Sequence, residues 1–406
     1  MQAASKSFPD YPPLIPSINS KGENTSKSNI NFFDYLPEEL VIVMAQYLDT
    51  RAIGNFRLAC KKFNVIAKDA SLIPIFFKKR FPILSGFYTQ KEMTEELYQK
   101  AISIEKNIHN PEFRPETTVF KKNIAFGGIG SLAFSEGLLY SRHPSYPDKD
   151  IVVWDLNGTQ LDQFKSKCRT ESMGITKNYI FSPLPSMKAL QRINKSDKKS
   201  IEWEYPEGDF WCIRVFDELL YAKSSSGIME IDSESGLKRE YLGKAFSPFF
   251  ADQSQVLGSG SSYIISWDRE TQKIKEEFPF DNRFPNHKTC FTFHAYPDDN
   301  RCIFGESGGK LIIYDLRQRQ MISTEALHQT VITGMVFFNN EVVTAAYDQN
   351  CKIWDVRCLT SLNNDLSPIR SFKIGFPIKS LCSQGSSLFI GSHNIYKYDF
   401  SKEEPN

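Results

Sequence analysis

The feature that most constrains this 406-residue sequence is a recurring short strand ending in an aromatic residue followed by aspartate. "DIVVWDLNG", "IISWDRETQ", "KLIIYDLRQR", "CKIWDVRC" and "NIYKYDF" carry it, and "ALQRIN" and "IMEID" are weaker copies that fill the gaps. Taking Trp154, Ile193, Ile231, Trp267, Tyr314, Trp354 and Tyr398 as equivalent, successive spacings are 39, 38, 36, 47, 40 and 44 residues. Short alternating strands punctuated by Gly, Ser, Asn and Asp at this period predict one four-stranded sheet per repeat. Seven such units stacked around an axis make an all-β, seven-bladed propeller over residues 115–402.

The two ends of the array fit a closed ring. The last copy stops at "KYDFSKEEPN", too short to supply an outer strand, whereas "TTVFKKNIAF" (117–126) is a strand without a partner ahead of the first copy. Pairing the two in one sheet removes an exposed edge.

Ahead of the repeats the texture is helical. In "DYLPEELVIVMAQYLD" (34–49), Pro37, Glu38 and Glu39 stand in a first turn, where a missing amide bond and the helix dipole favour proline and acids. From Leu40 to Leu48 the residues are apolar over more than a single stripe, so this helix needs cover on more than one side. Helical spacing continues through Ile53, Phe56, Leu58, Cys60, Phe63 and Ile66 until Pro74 and Pro82 break it, which predicts three or more short helices within 34–80. A unit of about 50 residues buries too little surface to stand comfortably alone. A partner or a neighbouring domain must supply the rest. "KEMTEELYQKAISIEKNI" (91–108) reads as a helical connector within 81–114.

Composition bounds the function. There are 49 Lys and Arg against 48 Asp and Glu, so no overall field draws in nucleic acid or an anionic membrane. The eight cysteines include no Cys-x-x-Cys pair, which argues against a disulfide framework or a zinc ribbon and fits a reducing compartment. Residues 1–30, rich in Pro, Ser, Asn and Lys, lack the apolar core of a secretory signal and read as a disordered tail. A cytoplasmic location is expected, with the nucleus, or a host cytoplasm for a delivered protein, as variants.

The segment "LPEELVIVMAQYLDTRAIGNFRLACKKFNVIAKDASLI" resembles an F-box, from the Leu-Pro start through "YLD" to the "LACKKFNVIAKDASL" run. The resemblance implies an F-box module over 31–80 that docks on a Skp-type adaptor and so joins a cullin ubiquitin ligase. Carried over by position, it places Leu36, Pro37, Leu40, Val41, Met44, Leu48 and Leu58 at that interface. The repeats resemble the WD-repeat family, and the best copy is "LHQTVITGMVFFNNEVVTAAYDQNCKIWD". There the family's structural tetrad falls on His328, Thr344, Asp348 and Trp354. In that family partners bind at the start of the first strand and the end of the second strand of each blade. Those positions are Arg142, Trp211, Ser224, Ser307, Thr333, Tyr347 and Lys379, an aromatic and polar set with little of the arginine that phosphate recognition needs. Arg142, Trp211, Thr333, Tyr347 and Lys379 are the foremost candidates.

Enzymatic readings are weak. Gly128, Gly130 and Ala133 have the order of a dinucleotide-binding turn, but "LLYSRH" resumes a strand where a helix should follow. His287, Cys290 and His294 have metal-like spacing but make only a triple. No nucleophile elbow, His-Glu-x-x-His or Walker loop occurs. The expectation is therefore a non-catalytic, multidomain protein without cofactor or metal. It joins a small all-α F-box module to a WD-repeat propeller and serves as the substrate-recognition subunit of a Skp-cullin-F-box ligase. Two alternatives stay open: a propeller scaffold whose helical element is only an internal brace, and a propeller that binds a small ligand or metal through His287, Cys290 and His294.

Overall fold

The computed structural model describes residues 38–47, 72–81, 89–120, 128–143, 150–167, 172–243, 247–260, 263–279, 293–295, 301–305, 308–355 and 367–401. Leu36, Pro37, Leu48 and Leu58, the tail 1–30 and the segment joining the first two helices lie outside them. The described helices are α1 (Glu38–Tyr47), α2 (Ile73–Arg80) and α3 (Glu95–His109).

Pro74 corrects one expectation. It opens α2 rather than breaking a helix, since a proline in the first turn has no intrahelical amide bond to lose. Lys78, Lys79 and Arg80 complement the carboxyl end of that helix dipole. In α3, Thr94 Oγ1 accepts from the Leu97 amide at 3.2 Å, with Glu95 and Glu96 in the first turn and Lys106 and His109 in the last.

Helix α3 runs through two cores. Tyr98 and Ala101, with Met93 just ahead of the helix, join Val41 and Ala45 of α1 and Ile73, Phe76, Phe77 and Phe81 of the α2 region in a helical core. Further along, Ile104 and Ile108, with Phe113, pack on Val336, Phe338, Val343, Leu388, Ile390 and Phe400. The connector is thus a shared wall.

The described strands form seven four-stranded antiparallel sheets. In chain order they span 131–165, 174–204, 208–242, 247–279, 293–326, 332–373 and 380–399, the last completed by the strand Glu116–Phe120. The inner strand of each sheet lies beside that of the next, and the seventh returns to the first, so the sheets close a ring. The seven aromatic or Ile positions that set the sequence period all fall on third strands. Each pairs across to the second strand in the same register, as in Leu139 with Trp154, Ile180 with Ile193, Val342 with Trp354 and Leu388 with Tyr398.

The aspartate that follows four of these positions shapes the next turn. Asp155, Asp232, Asp268 and Asp315 each accept backbone amide bonds from residues two to four positions on. Those bonds hold the Asp155, Asp232 and Asp268 carboxyls below the usual range, against a small burial effect.

The seventh sheet is closed by Glu116–Phe120 lying antiparallel to Ile395–Asp399, in register from Glu116 opposite Asp399 to Phe120 opposite Ile395. The described strand ends at Phe120, and residues 121–126 of the expected strand lie outside the described set. The Phe120 ring packs 5.8 Å from Trp154 and 6.1 Å from Phe389, centroid to centroid. Gly158 sits under it at φ +90°, where a β-carbon would meet Phe120 Cδ1 at 2.6 Å.

Candidate partner-binding surfaces

Helix α1 has two unlike faces. Val41 and Ala45 are fully buried against α2 and α3, whereas Leu40, Val43 and Met44, spaced three and four apart along the opposite stripe, are 52%, 47% and 46% exposed. Val41, expected at an external interface, faces inward instead. Val43 takes its place on the outer stripe, and helical spacing alone could have found it.

The joint between α3 and the ring is polar as well as apolar. The Arg370 guanidinium, on the outer strand of the sixth sheet, donates to the carbonyls of Ile108 (2.7 Å), Asn107 (2.9 Å), Phe113 (2.9 Å) and Asn110. These include carbonyls of the last helical turn that have no partner within the helix. Asn107 Nδ2 donates to the Phe400 carbonyl at 2.7 Å, and Asn339 Nδ2 to that of Ala101 at 3.3 Å. His109 Nε2 lies 2.9 Å from Glu341 Oε1, and that hydrogen bond raises the imidazole pKa against the opposing effect of burial.

At the other end of the sixth sheet, the four tetrad candidates are joined. Trp354 Nε1 donates to Thr344 Oγ1 at 2.8 Å, His328 Nε2 lies 2.8 Å from the same oxygen, and His328 Nδ1 lies 3.0 Å from Asp348 Oδ2. The Asp348 carboxylate only accepts, so Nδ1 carries the proton shared with it. Burial lowers the ring's pKa and outweighs the carboxylate beside it, which favours the neutral imidazole, and in that tautomer Nε2 accepts from the Thr344 hydroxyl. Burial would raise Asp348, but amides of Asn350 and Gln329 and the His328 ring hold it low.

The first sheet holds a variant that sequence reasoning missed. Trp154 Nε1 donates to Ser141 Oγ at 2.7 Å, and Ser141 lies 3.1 Å from His143 Nε2. Ser141 is two residues past the partner of Trp154, as Thr344 is past that of Trp354, so the register carried the signal.

The predicted partner-facing residues divide. Arg142 is fully buried and bonds to Ser172 O and Ser182 Oγ at 2.8 Å and Ser166 Oγ at 3.0 Å. It braces the first sheet against the second and does not face a partner. Ser224 is buried beside Ser226. Thr333 Oγ1 donates to the Ile378 carbonyl at 2.6 Å and is half-buried, as is Lys379. Tyr347 is 44% exposed. Trp211 lies on the strand Gly208–Phe216 with its side chain outside the described set, as is Ser307.

Gly128 and Gly130 lead straight into the strand Ser131–Ser135, which contains Ala133, so no helix follows to hold a dinucleotide phosphate. Gly128, at φ +69°, lies against the Ser392 carbonyl, where a β-carbon would come within 2.7 Å. Of the metal candidates, His287 and Cys290 lie outside the described residues, as does the side chain of His294. Among the described residues no cluster of three His, Cys, Asp or Glu could hold a metal ion, and no helix is long and apolar enough to cross a membrane.

No family model matches the sequence. Over 118 residues, 29% of this chain, it is 26% identical to "WD repeat-containing protein 3" of Mus musculus, and the match spans 12% of that protein's length. The crystal structure of the WD40 β-propeller domain of Doa1 superposes with a TM-score of 0.55 at 12% identity, covering 71% of this chain and 98% of that domain. A computationally designed protein, Ika8, aligns over 67% of this chain and 96% of its own at TM-score 0.47 and 16% identity. The chain is a β-propeller. Its sequence and fold support the WD-repeat kind.

Proposed function

We propose that the protein is a non-catalytic substrate-recognition subunit of a Skp-cullin-F-box ubiquitin ligase. Its helical module docks on the Skp-type adaptor, and its propeller holds the protein substrate. The observation that carries this reading is the outer stripe of α1, where Leu40, Val43 and Met44 stay exposed while Val41 and Ala45 complete the module's own core. An apolar stripe that its own fold leaves uncovered is suited to a partner. The F-box resemblance of the surrounding sequence supplies the partner's class. Catalysis would then be proximity: a substrate held near a charged conjugating enzyme reacts at raised effective concentration, with no catalytic side chain from this chain.

A propeller scaffold with α1 as an internal brace is the second reading, favoured by the packing of Val41 and Ala45 into the helical core. Capture of a purified Skp-type adaptor separates the two. Leu40→Glu with Met44→Glu is expected to weaken capture about 100-fold, or about 2.7 kcal/mol, by replacing two apolar contacts with charges. No capture by the native protein would leave the scaffold reading, and unchanged capture by the double variant would remove the α1 stripe as the docking face.

A further inference from the structure

The connector does not lie flush on the ring. Where helix α3 crosses the sixth and seventh sheets, a cleft of about 330 Å³ remains. One wall is a stripe of α3, Leu97, Ala101 and Ile104, spaced four and three apart so that they share a face. The wall on the ring is Phe337, Phe338 and Asn339, where the first strand of the sixth sheet ends and turns toward the second. Residues 383–385, in the corresponding turn of the seventh sheet, line the third side. Ser383 Oγ donates to the Phe337 carbonyl at 2.8 Å, so the two sheets are tied together beside the cleft.

Asn339 supplies the polar chemistry. The residue is 5% exposed, and its Nδ2 makes one long bond, 3.3 Å, to the Ala101 carbonyl, while Oδ1 is buried with no hydrogen-bond partner. A buried acceptor without a donor is costly, and a donor arriving from outside recovers that cost. The amide torsion of asparagine is soft, so a modest turn about Cβ–Cγ brings Oδ1 to a donor in the cleft. The remaining walls set a second requirement. A charged group among these Leu, Ala, Ile and Phe side chains would lose its water without gaining a partner. Lys100, the charged residue of the lining, is exposed to solvent. Phenylalanine on one side and aliphatic side chains on the other favour a flat aromatic ring. At roughly 30 Å³ per water-sized group, the volume holds about ten non-hydrogen atoms. Small-molecule sites begin at about 300 Å³ and favour such joints between parts of a chain.

We infer that this cleft is a binding site for a small uncharged aromatic molecule of one or two fused rings, carrying a single N–H or O–H donor that Asn339 accepts. The site is separate from the α1 stripe, since Leu40, Val43 and Met44 do not line it, and the inference does not rest on the ligase reading. A bound molecule touches the connector and two sheets at once, so its occupancy is linked to how firmly the helical module sits on the ring.

The test uses the full chain with indole, whose nitrogen donates, and benzothiophene, which has the same bicyclic shape and no donor. By ligand-observed NMR, indole is expected to bind with a Kd on the order of 1 mM, in keeping with its size, and at least about 5-fold more tightly than benzothiophene. Hydrogen exchange with indole should show added protection at residues 97–104 and 337–339. Asn339→Gly removes the amide and keeps a residue that tolerates the left-handed φ of +57° at that turn, so it should bring indole down to the affinity of benzothiophene. Leu97→Trp, which fills the cleft from a half-buried position, should cost both ligands about 10-fold, whereas Leu161→Ser, on the outer strand of the first sheet, should change neither. Circular dichroism checks that each variant folds, and the native ratio of affinities stands without them. Binding of neither ligand would overturn the inference, leaving the cleft to water or to the chain's own residues. Equal affinity for the two, protection confined to other parts of the chain, or a preference for indole that survives Asn339→Gly would overturn it as well. So would tighter binding of a capped Gly-Trp-Gly peptide than of indole, which would assign the cleft to a protein side chain.

Discussion

Thr344 joins two buried nitrogens, Trp354 Nε1 and His328 Nε2, accepting from the indole and, with the ring neutral, donating to the imidazole. Thr344→Val keeps the shape and leaves both buried nitrogens without that oxygen. A loss of about 2 to 4 kcal/mol is expected in urea unfolding, because each orphaned buried group costs roughly 1 to 3 kcal/mol. The two histidines described above respond to pH in opposite senses. His328 has a folded pKa below its ordinary value, so its contribution is full at neutral pH and is lost as pH falls beneath that of the unfolded chain, about 6.5. His109 has a raised folded pKa, so the stability from its bond to Glu341 is present below about pH 6.5 and is lost as pH rises through the folded value. Comparing the native protein with His109→Gln by urea unfolding should show a native advantage below about pH 6.5 that narrows as pH rises through the raised folded value. A constant margin would mean that the imidazole charge contributes nothing. Asp399 provides a third titration. Burial opposes its ionisation, but the Ser401 amide and the Ser386 hydroxyl help hold its pKa at about 2. Its contribution is complete above about pH 4 and disappears as pH drops through 2.

At the scale of elements, the strand Glu116–Phe120 is the closing piece of the ring, and Phe120 is its anchor. Phe120→Ala should lower unfolding stability by about 3 to 5 kcal/mol, the usual cost of emptying a fully buried phenylalanine site. A change under about 1 kcal/mol by denaturant titration would mean that the strand is not needed to hold the ring shut. Much of this layer was legible in the sequence. The aromatic-Asp period marks third strands because most sheets place a large apolar side chain and a turn-forming polar residue at that position. Even Ile193 and Ile231, which lack the aromatic ring, keep that position in the register. The start of α2 was not legible. Proline stops one helix and starts another by the same missing amide, and only the chain's path decides which.

For the whole molecule, helix α3 contributes to the helical core through Tyr98 and Ala101 and to the propeller through Ile104 and Ile108, so both parts share a continuous wall. The sequence announced the apolar surplus of α1, and its exposed stripe retains Leu40 and Met44. It did not announce that Val41 turns inward, since that depends on where α2 and α3 lie. Arg142 misled for a related reason: strand position placed it at the ring's loop end, but the guanidinium reaches sideways to the serines of the next sheet. The cleft at Asn339 escaped because a helix and two turns far apart in the chain make it only where they meet. The docking account meets its most direct test in hydrogen exchange of the full chain with and without a purified Skp-type adaptor. It predicts added protection across Glu38–Tyr47 and no change at residues 373–379. Unaltered exchange in α1 at saturating adaptor would contradict it.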